Sequence, residues 1–211
     1  MQIDLTRTSD RREGAYALIA IKERIHCKTR LAGSLSESTR VALVRSMLAR
    51  VLAATRNAQT VRQTIVVSPE RDEIPADIPV LADTGTSLNA ALEQAHGVLR
   101  ELGCRELLVL PADLPGITAA EVDTLVHAGR TSGFAIAPDA SGTGTNALCF
   151  TSPQPFRFQF GPDSYVLHLR EAQRMGWEPK VVRLPGLAFD LDLPADLELL
   201  GEQPWPTRLR A

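Results

Sequence analysis

LLVLPADLPGITAAEVDTLVHAG, residues 107–129, decides how this chain folds. Leu107–Leu110 is an unbroken apolar run with no polar alternation, as in a strand covered on both faces of a parallel sheet. Pro111 closes the run, and Thr118-x-x-Glu121 fits a capping box opening a helix that extends to about residue 129. Between strand and helix, Asp113 sits in a loop stiffened by Pro111 and Pro115. In open parallel sheets, ligands bind beyond the carboxyl ends of the strands, so a carboxylate here is placed to hold a hard cation such as Mg²⁺. An Asp between prolines is also ordinary turn chemistry.

The same unit recurs on either side. AYALIAI (15–21), QTIVVS (63–68) and PVLA (79–82) read as strands. Val41, Val44, Leu48, Val51 and Leu52 mark an amphipathic helix, preceded by Ser34-x-x-Glu37 as a candidate capping box, and Leu88, Leu92, Ala95, Leu99 and Leu102 mark another. FAIAP (134–138) follows as a strand, then a Gly/Thr loop and the strand ALCF (147–150). A Pro- and Phe-rich stretch then reads as hairpin-like. A helix near 163–175, a strand VVRL (181–184) and a last helix with Pro194 in its first turn complete the chain. Alternating strands and helices imply an α/β fold with a mostly parallel central sheet. No linker or repeat interrupts it, so residues 1–211 are expected to form one domain with its core at about 15–200.

Composition excludes several classes. At 211 residues, 44% hydrophobic and 23% charged, the chain is neither disordered nor collagen-like nor a coiled coil. The net charge of −2 hides a split: residues 1–62 carry 12 Lys+Arg against five Asp+Glu, a net of +7, and the remainder carries −9. A basic first third facing an acidic remainder suits a polyanion held partly through metal ions, although solvated faces give the same arithmetic. Of 23 basic residues only Lys22, Lys28 and Lys180 are lysines, and two of them lie six residues apart. Cys27, Cys104 and Cys149 are scattered and odd in number, which argues against a disulfide framework and points to a reducing, cytoplasmic setting. The polar N-terminus has no signal-peptide core, no apolar run could span a bilayer, and a pI near 6.1 argues against nucleic-acid binding.

Four strand-end loops carry candidate chemistry. Asp113 is the first. The second is Lys22-Glu-Arg24-x-x-x-Lys28-Thr-Arg30, whose cations could surround a triphosphate and stabilise departing pyrophosphate, or simply form a basic surface loop. The third is Phe189-Asp190-Leu191-Asp192-Leu193-Pro194. If extended, it puts Asp190 and Asp192 on one face and buries Leu191 and Leu193 on the other. With Asp113 these carboxylates would hold one or two Mg²⁺, and capping of a final helix by Asp192 is the competing reading. The fourth is Gly142-Thr-Gly144-Thr145-Asn146-Ala147, which matches G-x-G-x-x-A but leads into a strand, so a small-anion cradle fits better than a dinucleotide site. Phe160-Gly161-Pro-Asp-Ser164 offers a second such turn near a helix start. No GxSxG elbow or P-loop is present, and His26, His96, His127 and His168 are too scattered for a triad or a zinc site.

IAIKERIHCKTRLAG, LADTGTSLNAAL, LVLPADLPGIT, IAPDASGTGTNALCF, FGPDSYVLHL and GLAFDLDLPADL, in that order over about residues 17–200, together resemble one family. It is the guanylyltransferases that activate a phosphorylated three-carbon acid for coenzyme F-420 biosynthesis. The acids taken are 2-phospho-L-lactate, phosphoenolpyruvate or 3-phospho-D-glycerate. The resemblance implies a GT-A-like, Rossmann-like three-layer nucleotidyltransferase fold, GTP as co-substrate, Mg²⁺ as cofactor, and a product passed to a downstream transferase. It implies Asp113, Asp190 and Asp192 as metal ligands, and Lys22, Lys28 and Arg30 with Asp113 as catalytic and nucleotide-binding groups. Asn89 would face the nucleotide, and Thr145, Gly161 and Ser164 would hold the acid. Ser87 and Cys149 depart from the family pattern and are candidates for setting which acid is used. The alternatives are another nucleotidyl- or glycosyltransferase on this scaffold, or a non-catalytic nucleotide-binding protein.

Overall fold

In the computed structural model, the structure describes residues 13–21, 31–72, 74–83, 87–152, 154–191 and 196. Among these residues seven strands form one sheet: β1 (Ala15–Ala20), β2 (Val61–Ser68), β3 (Val80–Ala82), β4 (Glu106–Pro111), β5 (Phe134–Pro138), β6 (Thr145–Thr151) and β7 (Lys180–Val181). Their order is β3-β2-β1-β4-β6-β5-β7. All pairs are parallel except those made by β6, which runs antiparallel to both β4 and β5. The helices among the described residues are α1 (Glu37–Asn57), α2 (Leu88–Glu101), α3 (Ala119–Ser132), α4 (Ser164–Arg174) and the single turn α5 (Pro185–Ala188).

The strand run AYALIA is buried along its length because both faces of the sheet are covered. Ala15, Ala17 and Ile19 meet α1 and α3 through Leu48, Val51, Leu52, Val122, Leu125 and Val126. Tyr16 and Leu18 point the other way, into the layer of Leu92, Ala95, Leu99 and Ala172 from α2 and α4. This is the expected α/β sandwich with period-two partition across the sheet.

Several boundaries differ from the sequence expectation. Ser36, not Ser34, caps α1, and its hydroxyl accepts from Thr39 N–H at 3.2 Å. The capping box at Thr118 and Glu121 forms as expected. Of VVRL only Val181 lies in a strand, the two-residue edge strand β7 that begins at Lys180, and PGLA forms the unexpected turn α5. Pro194 and the last helix lie outside the described residues.

The described residues of the Pro/Phe stretch form no hairpin. Phe156, Phe158 and Phe160 alternate into an aromatic cluster with Phe134, Phe150 and Trp177, with neighbouring centroids 4.8–6.3 Å apart. The backbone N–H groups between them donate to side chains instead of to a strand: Arg157 to Glu171 Oε1, Gln159 to His168 Nε2, and Phe160 to Asn89 Oδ1. An extended segment thus satisfies its donors on α4 and α2.

Candidate active site

The carboxyl end of the sheet gathers the described candidates. β4 ends at Pro111, and Asp113 follows, half-buried, in the loop to α3. β6 starts at the same end, because it runs antiparallel and places Leu148 opposite Val109. Two residues before Leu148, the buried Asn146 therefore stands beside the end of β4. Its amide Nδ2 donates to Asp190 Oδ1 at 3.3 Å and to the Ala188 carbonyl at 3.1 Å. Asn146 thus fixes the segment carrying Asp190 against the sheet end. Leu191 turns inward and is fully buried against Leu31 and Met47, as expected for an extended Phe189–Leu191. Asp192, Lys22, Lys28 and Arg30 lie outside the described residues.

A second tie joins the two acid segments. One oxygen of Glu121 accepts from Thr118 in the capping box, and the other accepts the Gly186 N–H at 2.7 Å. α5 therefore docks onto the N-terminus of α3, where Gly186 packs on the Gly116 backbone. Gly116 lies three residues after Asp113, and Gly186 four before Asp190.

The other candidates meet around the first turn of α4. Thr145 Oγ1 and His168 Nδ1 lie 3.0 Å apart, both buried. Ser164 and His168 are one turn apart on the buried face of α4. Ser164 N–H donates to the Gly161 carbonyl and Tyr165 N–H to the Thr143 carbonyl, so the Gly/Thr loop rests on the start of the helix. Gly161 has φ +129°, a backbone open to glycine and costly for other residues. Thr145, Gly161 and Ser164 are thus brought together. Burial pushes the His168 imidazole down to about pKa 4, with Glu171 opposing, so the ring is neutral at pH 7.

Asn89 makes contacts of its own within the fold. Its Oδ1 accepts from Phe160 N–H at 2.8 Å and its Nδ2 donates to the Phe160 carbonyl at 3.0 Å. The side chain clamps α2 to the residue before Gly161. Ser87 is the N-cap of α2, accepting from Ala90 N–H. Cys149 is fully buried mid-strand, packed on Gly129, so it is a core residue and does not line the sheet end. Burial raises its thiol pKa, and that of Cys104 to about 11.

Sequence reasoning missed Asn146, Glu121, Gly186 and His168 as parts of this arrangement. The spacing of Ser164, His168 and Glu171 on one helical face was the available signal for His168. Among the described residues no group of three His, Cys, Asp or Glu converges as a metal site, and no helix is long and apolar enough to cross a membrane. Asp113 and Asp190 supply hard carboxylate oxygens at the sheet end, a donor chemistry that fits Mg²⁺ better than a soft or borderline metal.

The mostly parallel sheet flanked by helices on both faces gives the chain an α/β fold shared with nucleotidyltransferases. Among solved structures it is similar to one described as a nucleotide-diphospho-sugar transferase from Desulfovibrio desulfuricans G20, with TM-score 0.73 and 16% identity over 89% of this chain and 86% of the other. It also matches 2-C-methyl-D-erythritol 4-phosphate cytidylyltransferase from Thermus thermophilus, with TM-score 0.56 and 19% identity over 90% and 100% of the two chains. The family model "Guanylyl transferase CofC like" matches residues 15–202, and the chain belongs to that guanylyltransferase family. It is 40% identical to the phosphoenolpyruvate guanylyltransferase of Rubrobacter xylanophilus, over 88% of this chain and 92% of the relative. It is 37% identical to the protein of that name from Sphaerobacter thermophilus, over 89% and 93%.

Proposed function

We propose that this guanylyltransferase joins GMP from GTP to the phosphate of a three-carbon phospho-acid, phosphoenolpyruvate before 3-phosphoglycerate or 2-phospholactate, in coenzyme F-420 biosynthesis. An oxygen of the acid's phosphate attacks the α-phosphorus of GTP. The bond to the bridging oxygen breaks, pyrophosphate leaves, and a guanosine diphosphodiester forms. The nucleophile is already an anion at pH 7, so no general base is needed, and catalysis rests on aligning two polyanions that repel each other.

The observation that carries this reading is the convergence at one sheet end. Asn146 holds Asp190 there, and the adjacent residue, Thr145, touches the helix that begins at Ser164. Asp113, Asp190 and Asp192 would hold Mg²⁺, which when bound neutralises phosphate charge. Lys22, Lys28 and Arg30 would take the triphosphate, with Asn89 bracing the nucleotide side, and Thr145, Gly161 and Ser164 would take the acid. The names of the 40% and 37% identical relatives support phosphoenolpyruvate as the first acid to try. A labile diphosphodiester suits direct transfer to a downstream enzyme, and one domain is enough for the chemistry.

The test is incubation with GTP, Mg²⁺ and each of the three acids, following pyrophosphate release and product mass. Acid-dependent pyrophosphate with a product at the mass of acid plus GMP supports the proposal. GTP binding without release for any acid sinks it.

A further inference from the structure

We propose that His168 is a positioning residue that fixes the Thr145 hydroxyl as a hydrogen-bond donor towards the acid substrate, and so helps make the site selective for an anionic group. This rests on the reading of Thr145 as an acid ligand.

The placement of one proton on the His168 ring fixes the sense of its bond to Thr145. His168 is fully buried, stacked near Phe156 at 6.0 Å and edge-on to Phe160 at 4.7 Å, so neither nitrogen can turn to water. Its Nε2 lies 2.9 Å from the backbone nitrogen of Gln159, and a backbone N–H can only donate. Nε2 therefore carries a lone pair. A neutral imidazole with a lone pair on Nε2 has its hydrogen on Nδ1. Burial favours that neutral ring. Nδ1 then donates to Thr145 Oγ1 across 3.0 Å; the reverse sense would need both ring nitrogens to accept, which only an imidazolate can do.

A threonine hydroxyl has one hydrogen. With its oxygen already accepting from His168, that hydrogen is directed away from the ring. Thr145 opens β6 beside Asn146, at the sheet end where Asp190 is held. A hydroxyl preset to donate favours carboxylate or phosphate oxygens, and it does so without reorganising when the substrate arrives. The relay is anchored from behind as well: the Phe156-Phe158-Phe160 segment is pinned by Asn89 and Glu171, so Gln159 N–H is held in register with Nε2.

Two substitutions of the same ring separate the relay from simple packing. His168→Gln can keep an acceptor for Gln159 N–H near the Nε2 position while removing the donor to Thr145. His168→Asn keeps an N–H near the Nδ1 position while removing the acceptor for Gln159. With phosphoenolpyruvate and GTP as substrates, His168→Gln is expected to raise KM for the acid about tenfold, leaving KM for GTP within about twofold. His168→Asn is expected to stay within about threefold of wild type for both. Thr145→Val should show the acid effect by itself, and adding His168→Gln to it should change little, because both act through one hydroxyl.

An unchanged acid KM in His168→Gln, alongside a raised one in Thr145→Val, overturns the relay alone. An unchanged acid KM in Thr145→Val overturns the acid-ligand reading and the relay with it. A wild type that transfers GMP to no acid overturns the function itself. Should the ring variants not fold, imidazole ¹⁵N shifts of the wild-type protein still decide. The Nδ1–H tautomer for His168 is expected, and Nε2–H refutes the relay.

Discussion

Gly186→Ala puts a methyl group into the contact that joins the two acidic segments. A Cβ at Gly186 collides with Glu121 Oε2 and the Gly116 carbonyl oxygen, and stands 2.8 Å from the Gly116 carbonyl carbon. Comfortable carbon–carbon contact is about 3.5–4.0 Å, so roughly 0.7–1.2 Å of relief is needed. Glu121 can rotate away only by releasing Gly186 N–H or the capping box. The Gly116 backbone can move only with the loop that carries Asp113. Either way, α5 and Asp190 shift relative to Asp113.

Overpacking of this kind costs about 1–3 kcal/mol, or roughly 2–12 °C in Tm for a chain of this size. Misplacement by about 1 Å in a site that works by alignment can lower turnover about a hundredfold. The assay is thermal unfolding by circular dichroism, with pyrophosphate release measured well below the variant's Tm. Gly97→Ala is the control: it sits inside α2 with nothing within 4 Å of the added methyl, so it should raise stability by about 0.5–1 kcal/mol without touching the rate. A Gly186→Ala protein with wild-type Tm and wild-type rate would refute the docking of α5 onto the Asp113 loop.

Further outcomes follow from the same contacts. Asp113→Asn and Asp190→Asn should fold normally yet lose about a hundredfold or more in pyrophosphate release; wild-type rates in Asp190→Asn would remove it from the site. Asn146→Ala removes the amide's bonds to Asp190 and to the Ala188 carbonyl together, and should lower kcat about tenfold and weaken the apparent Mg²⁺ affinity in the same titration. His96 and His168 are both pushed down by burial to about pKa 4 from about 6.5, so the unfolded chain binds the extra protons between those values. The stability they contribute is complete above about pH 6.5 and is lost as pH falls towards 4, by about 3 kcal/mol for each ring. Urea midpoints at pH 7 and pH 4.5 measure this, and His96→Met should flatten the slope, since among the described residues His96 Nε2 has no hydrogen-bond partner to lose. In a Cys27→Ser background, Cys104 and Cys149 should resist thiol reagents until the protein unfolds, because burial raises both thiols.

What the sequence disclosed was periodicity, and what it concealed was partnership. The continuous apolar runs of β1 and β4 announce strands covered on both faces, and a carboxylate immediately after such a run has few places to go but the ligand-binding end of the sheet. The place of Asp113 just beyond β4 was therefore legible, as was the inward turn of Leu191 next to Asp190. Ser34 and Ser36 could each cap the same helix, and only the path of residues 31–36 selects Ser36. Phe156, Phe158 and Phe160 alternate as a strand would, yet the backbone N–H groups of Arg157, Gln159 and Phe160 pair with Glu171, His168 and Asn89, which lie nine or more residues away. The polar contacts organising the site share this property. Asn146 reaches 44 residues to Asp190, Glu121 reaches 65 to Gly186, and His168 reaches 23 to Thr145. Each joins a side chain on one element to a distant segment, where no local pattern records the choice. A reading based on motifs proposes groups to meet the substrate, because their chemistry is written in their type. The groups that aim them are recognisable only as buried polar atoms that the fold must satisfy.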